Sequence, residues 1–329
     1  MPDDVTTELG GAALADLPKV SLHDHLDGGL RPQTIIELAD EIGLEVPETE
    51  ASALGTWFRD QCEAGSLVEY LKTFDLTTAV MQTAPALERI AREFVLDLAD
   101  DGVIYGEIRW APEQHLQNGL SLDEAVEAEE RGIEAGIDDV ASTGRSIRAG
   151  QLISAMRQND RGLEIAELAL RHRDRGAVGF DIAGPAHSFP AGRLRDAFDL
   201  LAARFFPRTV HAGEADGIES IRGALIDGRA LRLGHGVRLA EDIHLTDGAG
   251  GERIARLGEI ASWVRDREIT LETSPSSNVQ TAAFAQWGTE LVDHPIDLLY
   301  QLDFRVTVNT DNRLMSATSL TRELGLLVD

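Results

Sequence analysis

The sequence predicts a (β/α)8 barrel of the TIM type, and three observations predict it. Short β-branched runs alternate with longer amphipathic stretches, the pattern of repeated βα units. Eight such runs can be placed, and 329 residues fit the span of roughly 200 to over 400 residues that a single barrel occupies. No linker, low-complexity tract or internal repeat interrupts the alternation, so residues 1–329 read as one domain. An open doubly wound sheet would use the same units, but eight strands with helices between them favour closure.

The elements follow in order. Strand 1 is expected at Lys19–Leu22 and its helix at Thr34–Ile42. About 60 residues, Gly43 to Gly102, then intervene before strand 2, far more than a simple connection needs. Much of this insert (43–102) reads as helical, notably Ser66–Val80 and Ala86–Asp100. Lying after strand 1, it is expected over the C-terminal mouth, with Trp57 and Phe58 either as an apolar lid or as its anchor. Strands 2–8 are expected at Val103–Trp110, Ile147–Ile153, Ala177–Ile182, Arg208–Val210, Leu231–Leu233, Glu268–Leu271 and Phe304–Val308. Helices are expected at Leu122–Ile137, Leu163–His172, Arg193–Arg204, Ile218–Asp227, Glu252–Asp266 and Pro295–Gln301. Leu163, Ala166, Glu167 and Leu170 have the spacing of one helix face turned to a core. The run Glu127-Ala128-Glu129-Glu130 reads as a solvated face.

Composition narrows the function. With 57 acidic and 30 basic side chains the formal charge is −27, which argues against nucleic acid, an anionic membrane or a polyanionic substrate as partner. No apolar run reaches the roughly 18–20 residues of a membrane span. The start, Met1-Pro2-Asp3-Asp4, has no basic stretch leading into an apolar one, so no secretory signal is expected. A single cysteine, Cys62, excludes an internal disulfide and fits a reducing, cytoplasmic compartment. Only Lys19 and Lys72 are lysines among the 30 basic residues, an arginine bias that reads as GC-rich coding ahead of salt adaptation.

The chemistry is written at the strand ends. In Ser21-Leu22-His23-Asp24-His25 the side chains alternate, so His23 and His25 share the inward face and Asp24 points away. Strand 5 leads into His211-Ala212-Gly213-Glu214, strand 6 into Gly234-His235-Gly236, and strand 8 into Asn309-Thr310-Asp311-Asn312. Four of nine histidines and an aspartate thus gather at the face where barrel active sites are built. Burying them unpaired would cost about 1–3 kcal/mol each, which a bound cation would offset. Imidazoles with one carboxylate favour zinc over magnesium or calcium.

These segments, with Leu233-Gly234-His235-Gly236 and Ser274-Pro275-Ser276-Ser277-Asn278, resemble the adenosine deaminases, zinc-dependent barrels of the amidohydrolase superfamily. The resemblance runs from about Lys19 to Leu320 with the motifs in order. It implies one zinc ion held by His23, His25, His211 and Asp311, with bound water acidified towards about pH 7. It further implies that His235 orients this water and that Asp311 accepts its hydrogen bond. Glu214 would protonate purine N1, with its pKa raised by partial burial, so that hydroxide adds to C6 and ammonia leaves. His25 and Asp27 would face the substrate, Asp27 binding a ribose hydroxyl, and the Gly184 backbone N–H would reach purine N3.

Three departures from the family pattern stand out. Asn312 replaces a second aspartate that meets purine N7, and an amide can donate there without a raised pKa. Pro185-Ala186 follows Gly184 where some members carry an acidic pair. His115, His172, His187, His244 and His294 match no motif and read as surface or structural. The expected activity is conversion of adenosine and 2′-deoxyadenosine, small purine nucleosides, to the inosines. The alternatives are deamination of another 6-aminopurine and, in a different class, a zinc barrel that binds a nucleoside without turnover.

Overall fold

Lys19–His25 (β1), with Val20, Leu22 and Asp24 on one face and Ser21 and both imidazoles on the other, opens the architecture. The computed structural model describes residues 5–63, 67–248 and 252–328. β1 pairs in parallel with Val103–Trp110 (β2), β2 with Arg148–Met156 (β3), and Ala177–Ala183 (β4) completes a four-stranded sheet in that order. A second parallel sheet holds Thr209–Ala212 (β5), Arg232–His235 (β6), Thr270–Thr273 (β7) and Val306–Val308 (β8) in the order β8-β7-β6-β5. A parallel bridge joins Phe180 of β4 to Arg208 before β5, and another joins Asp24 of β1 to Asp311 after β8. Each strand is therefore neighbour to the next in sequence and the last leads back to the first, the expected (β/α)8 order. By contact density the chain divides into a unit of Met1–Ser154, Glu167–Gly179 and Val308–Asp329 and a unit of Ala155–Ala166 and Phe180–Thr307.

All eight expected strands are present, most shifted by one to three residues toward their C-terminal ends. In the first unit, helix α1 (Pro32–Ile42) starts at a proline and stops at Gly43, whose left-handed φ of 69° a residue with a Cβ adopts only at a cost. The insert contains α2 (Ala51–Glu63), α3 (Leu67–Val80) and α4 (Ala84–Asp100). Phe58 is fully buried and meets Trp57 edge-to-face at 5.0 Å, which favours the anchor over an open apolar lid for that ring. α4 lies along α5 (Leu122–Ser142), as a helix of the barrel's outer layer would. Gly132 and Gly136 permit that approach: a Cβ on Gly132 would stand 2.2 Å from the Glu88 carbonyl oxygen. A reciprocal capping box between Ser121 and Glu124 starts α5.

Three expectations are corrected. Residues 253–257 are a strand paired antiparallel with Ile243–Asp247, and only Glu259–Asp266 is helical, because Asp242 Oδ2 accepts from the N–H groups of Ile260 and Ala261 and fixes the helix start there. In the helix Gly162–Arg171 the buried face is Ile165, Ala166, Leu168 and Ala169, while Leu163 is 46% exposed and Glu167 faces solvent. Glu129 is not solvated; it falls in the same stripe of α5 as Ala125 and Ile133 and is fully buried. Of the histidines expected to be surface or structural, His115, His172 and His294 are buried, and His187 and His244 are exposed.

Candidate metal centre

On β1 the period of two sends His23 and His25 to one face. Their Nε2 atoms lie 3.2 and 3.3 Å from one atom, Oδ1 of Asp311. The register is set by the backbone: His25 N–H donates to the Asp311 carbonyl (2.8 Å) and Asp311 N–H donates to the His23 carbonyl (3.0 Å). Asn309 Oδ1 accepts from the N–H groups of Leu22 and His23, clamping the strand end. Asp24 points the opposite way to Arg313 Nε at 2.8 Å, and that guanidinium stacks over Phe94. Burial raises the Asp24 carboxyl to about 7 despite its cationic partner.

Asp181, in β4 of the first sheet, holds His211 of β5. Its Oδ1 accepts from the N–H groups of Ile182 and His211, and its Oδ2 lies 2.6 Å from His211 Nδ1. This pairing puts the imidazole proton on Nδ1 and leaves the Nε2 lone pair for a ligand. His211 and His235 face each other edge-on at 5.4 Å. Glu214 Oε2 lies 3.5 Å from His235 Nε2, and its Oε1 accepts from Thr281 Oγ1 at 3.0 Å. His235 and Asp311 both hold left-handed backbones, φ 67° and 59°, a strain of about 1–3 kcal/mol each that concentrates at functional sites.

The first unit thus brings His23, His25 and Asp311 together as donors that could hold a metal, and the second brings His211 beside His235. Zinc–donor distances of about 2.0–2.1 Å at a tetrahedral angle separate two donors by about 3.3 Å. The 3.2 and 3.3 Å separations around Asp311 Oδ1 have that size, so imidazoles and carboxylate fit a zinc-like cation.

The sequence model of the adenosine deaminase family matches residues 18–329. The chain belongs to that family. It is 53% identical over 313 residues to adenosine deaminase 1 of Streptomyces coelicolor, covering 95% of this chain and 77% of the relative. It is 49% identical over 326 residues to the adenosine deaminase of Mycobacteroides abscessus, covering 99% and 88%. In structure it resembles the N6-mAMP deaminase of arabidopsis, with TM-score 0.78, 27% identity and coverage of 96% and 88%.

The remaining expected residues of this deaminase are placed as follows. Asp27 follows β1 with Oδ1 3.9 Å from His25 Nδ1, and burial raises its carboxyl to about 6. Asn312 is buried against Gly28, where a Cβ would come within 2.0 Å of the Asn312 side-chain oxygen. Gly184 ends β4 with φ 93°, a backbone that requires glycine irrespective of substrate. Beside His211 a cavity of about 440 Å³ is lined by Arg157, Asp216, Glu219 and Glu241 among others. Arg157 is committed to the carbonyls of Phe189 and His211. Sequence reasoning gave Asp181 no role, quoted Asn278 only as part of a motif and read His294 as surface or structural. Asp181 had a signal, an acid inside an otherwise apolar strand; the other two become visible only through their contacts.

Proposed function

We propose that this deaminase converts adenosine and 2′-deoxyadenosine, with water, to inosine and 2′-deoxyinosine plus ammonia. The observation that carries the reading is Glu214, held by Thr281 with its second oxygen turned to His235, which faces His211. A binder without turnover has no use for a proton donor there.

His23, His25, His211 and Asp311 would hold zinc, which when bound supplies a water acidic enough to deprotonate near neutral pH. Glu214 delivers a proton to purine N1, which weakens the ring's aromaticity and opens C6 to addition. His235 donates its N–H to the oxygen added at C6, and Asp311 accepts that oxygen's proton; the C6–N6 bond then breaks and the amine leaves with that proton as ammonia. Asp27 accepts from a ribose hydroxyl, Asn312 donates to N7 and the Gly184 N–H meets N3. A carboxylate at Asp27 supports a neutral sugar hydroxyl over a phosphate, and so a nucleoside over a nucleotide. The charge of −27 and single cysteine support a cytoplasmic enzyme without a nucleic-acid or membrane partner.

The test is the ultraviolet change on incubating the zinc-loaded protein with adenosine, 2′-deoxyadenosine, adenine or AMP. Turnover of the two nucleosides is expected, and activity confined to adenine or AMP would overturn the substrate. Glu214→Gln should keep its zinc and bind inosine while kcat falls about 10²- to 10⁴-fold, the scale of a lost general acid. Near-normal kcat would remove Glu214 from the reaction.

A further inference from the structure

His235 poses a choice that the ligand atoms alone leave open, because an imidazole nitrogen either coordinates a metal or carries a proton, never both. Its Nδ1 lies 3.1 Å from Asn278 Nδ2, in a region where His235, Asn278, Ser274 and His294 are all buried. Which end of the Asn278 amide faces the ring is set by two backbone donors. Ser274 N–H donates to Asn278 Oδ1 at 3.2 Å, so the oxygen points away from His235 and the NH2 towards it. On the far side, Ile296 N–H donates to His294 Nδ1 at 3.1 Å. That nitrogen is therefore an acceptor, and the His294 proton sits on Nε2, 3.2 Å from the same Asn278 oxygen. Burial lowers the His294 pKa to about 4, so the ring stays neutral and this direction does not reverse near neutral pH.

The polarity then runs one way, from Ile296 N–H to His294, from His294 to Asn278, and from Asn278 to His235 Nδ1. With Nδ1 accepting, a neutral His235 carries its proton on Nε2, the nitrogen 3.5 Å from Glu214. We propose that Asn278 and His294 are positioning residues that lock His235 in this tautomer, making it a hydrogen-bond donor to the oxygen added at the purine and not a metal ligand. The acceptor rests on the deaminase reading above; the tautomer does not.

The test uses zinc-loaded protein with ¹⁵N-labelled histidine, the His235 resonances being assigned by their loss in His235→Gln. Nitrogen NMR should show Nε2 protonated and Nδ1 bare. A proton on Nδ1, or no proton on Nε2, overturns the proposal whether or not any purine is turned over. Asn278→Asp sets a carboxylate oxygen against Nδ1 and demands a proton there. Its His235 signal should invert, and kcat should fall about 10- to 100-fold with KM and zinc content held, the usual cost of losing an orienting partner. Should that variant fail to fold, His294→Phe keeps the ring that packs edge-on to Phe284 and deletes both the donor to Asn278 and the acceptor for Ile296 N–H. A smaller fall confined to kcat is expected, and unchanged kcat in the folded variants would overturn the positioning role. If the parent deaminates nothing while His235 shows the expected tautomer, the deaminase reading fails and the locked tautomer stands.

Discussion

Asp181→Asn should weaken metal binding more than so small a change suggests. Asp181 Oδ1 already accepts from Ile182 N–H at 2.7 Å and His211 N–H at 3.1 Å. An asparagine would keep its carbonyl oxygen at that position, since turning round would aim its NH2 at two donors. Its NH2 would then face His211 Nδ1, which in the parent carries the proton and lies 2.6 Å from Oδ2. Two donors cannot share that contact. Either a buried hydrogen bond is lost, at about 1–3 kcal/mol, or His211 moves its proton to Nε2 and gives up the lone pair a metal needs. Both routes lead to a zinc affinity lowered about 10- to 100-fold, or about 1.4–2.7 kcal/mol. Competition with a chromophoric chelator measures it, with circular dichroism confirming the fold. Unchanged zinc affinity in a folded variant would refute the tautomer argument and with it the assignment of His211 as a ligand.

Two further expectations concern the first unit. Burial pushes the Glu129 carboxyl well above its usual range, so the folded state keeps a proton that the unfolded state releases above about pH 4. Stability attributable to this residue therefore declines as pH rises from there toward the folded pKa. Glu129→Gln should melt higher than the parent, by a margin that widens as pH rises above about 5; a margin independent of pH would contradict it. Gly132→Ala brings a Cβ within 2.2 Å of the Glu88 carbonyl oxygen and 2.8 Å of Ala91 Cβ. Overpacking of about 1–3 kcal/mol should outweigh the gain of up to about 1 kcal/mol in helix propensity, so Tm falls. A raised Tm would mean that α4 and α5 can part without loss.

What could be read in the sequence, and what could not, follows from how far each signal reaches along the chain. The eight strands were legible because β-branched runs are local, and their ends were legible because polar residues there break an apolar pattern. His23, His25, His211, His235 and Asp311 belong to this class. Helix faces were less legible: Leu163 and Ile165 are both apolar, and only the packed sheet decides that Ile165 is buried and Leu163 is not. For Glu129, a charge in an acidic run reads as solvated, yet its position four residues from both Ala125 and Ile133 puts it in the buried stripe. Asn278 and His294 were illegible for a different reason. Asn278 lies 43 positions from His235, and His294 a further 16 from Asn278, so no window of sequence contains the three together. A strand-end histidine announces that it can bind a metal or donate a proton, and its own sequence cannot say which. That choice belongs to a second layer of side chains whose positions are set by the short helices Pro275–Gln280 and Leu291–Asp293 after β7. A substitution there can change the chemistry of His235 while every strand-end motif remains intact.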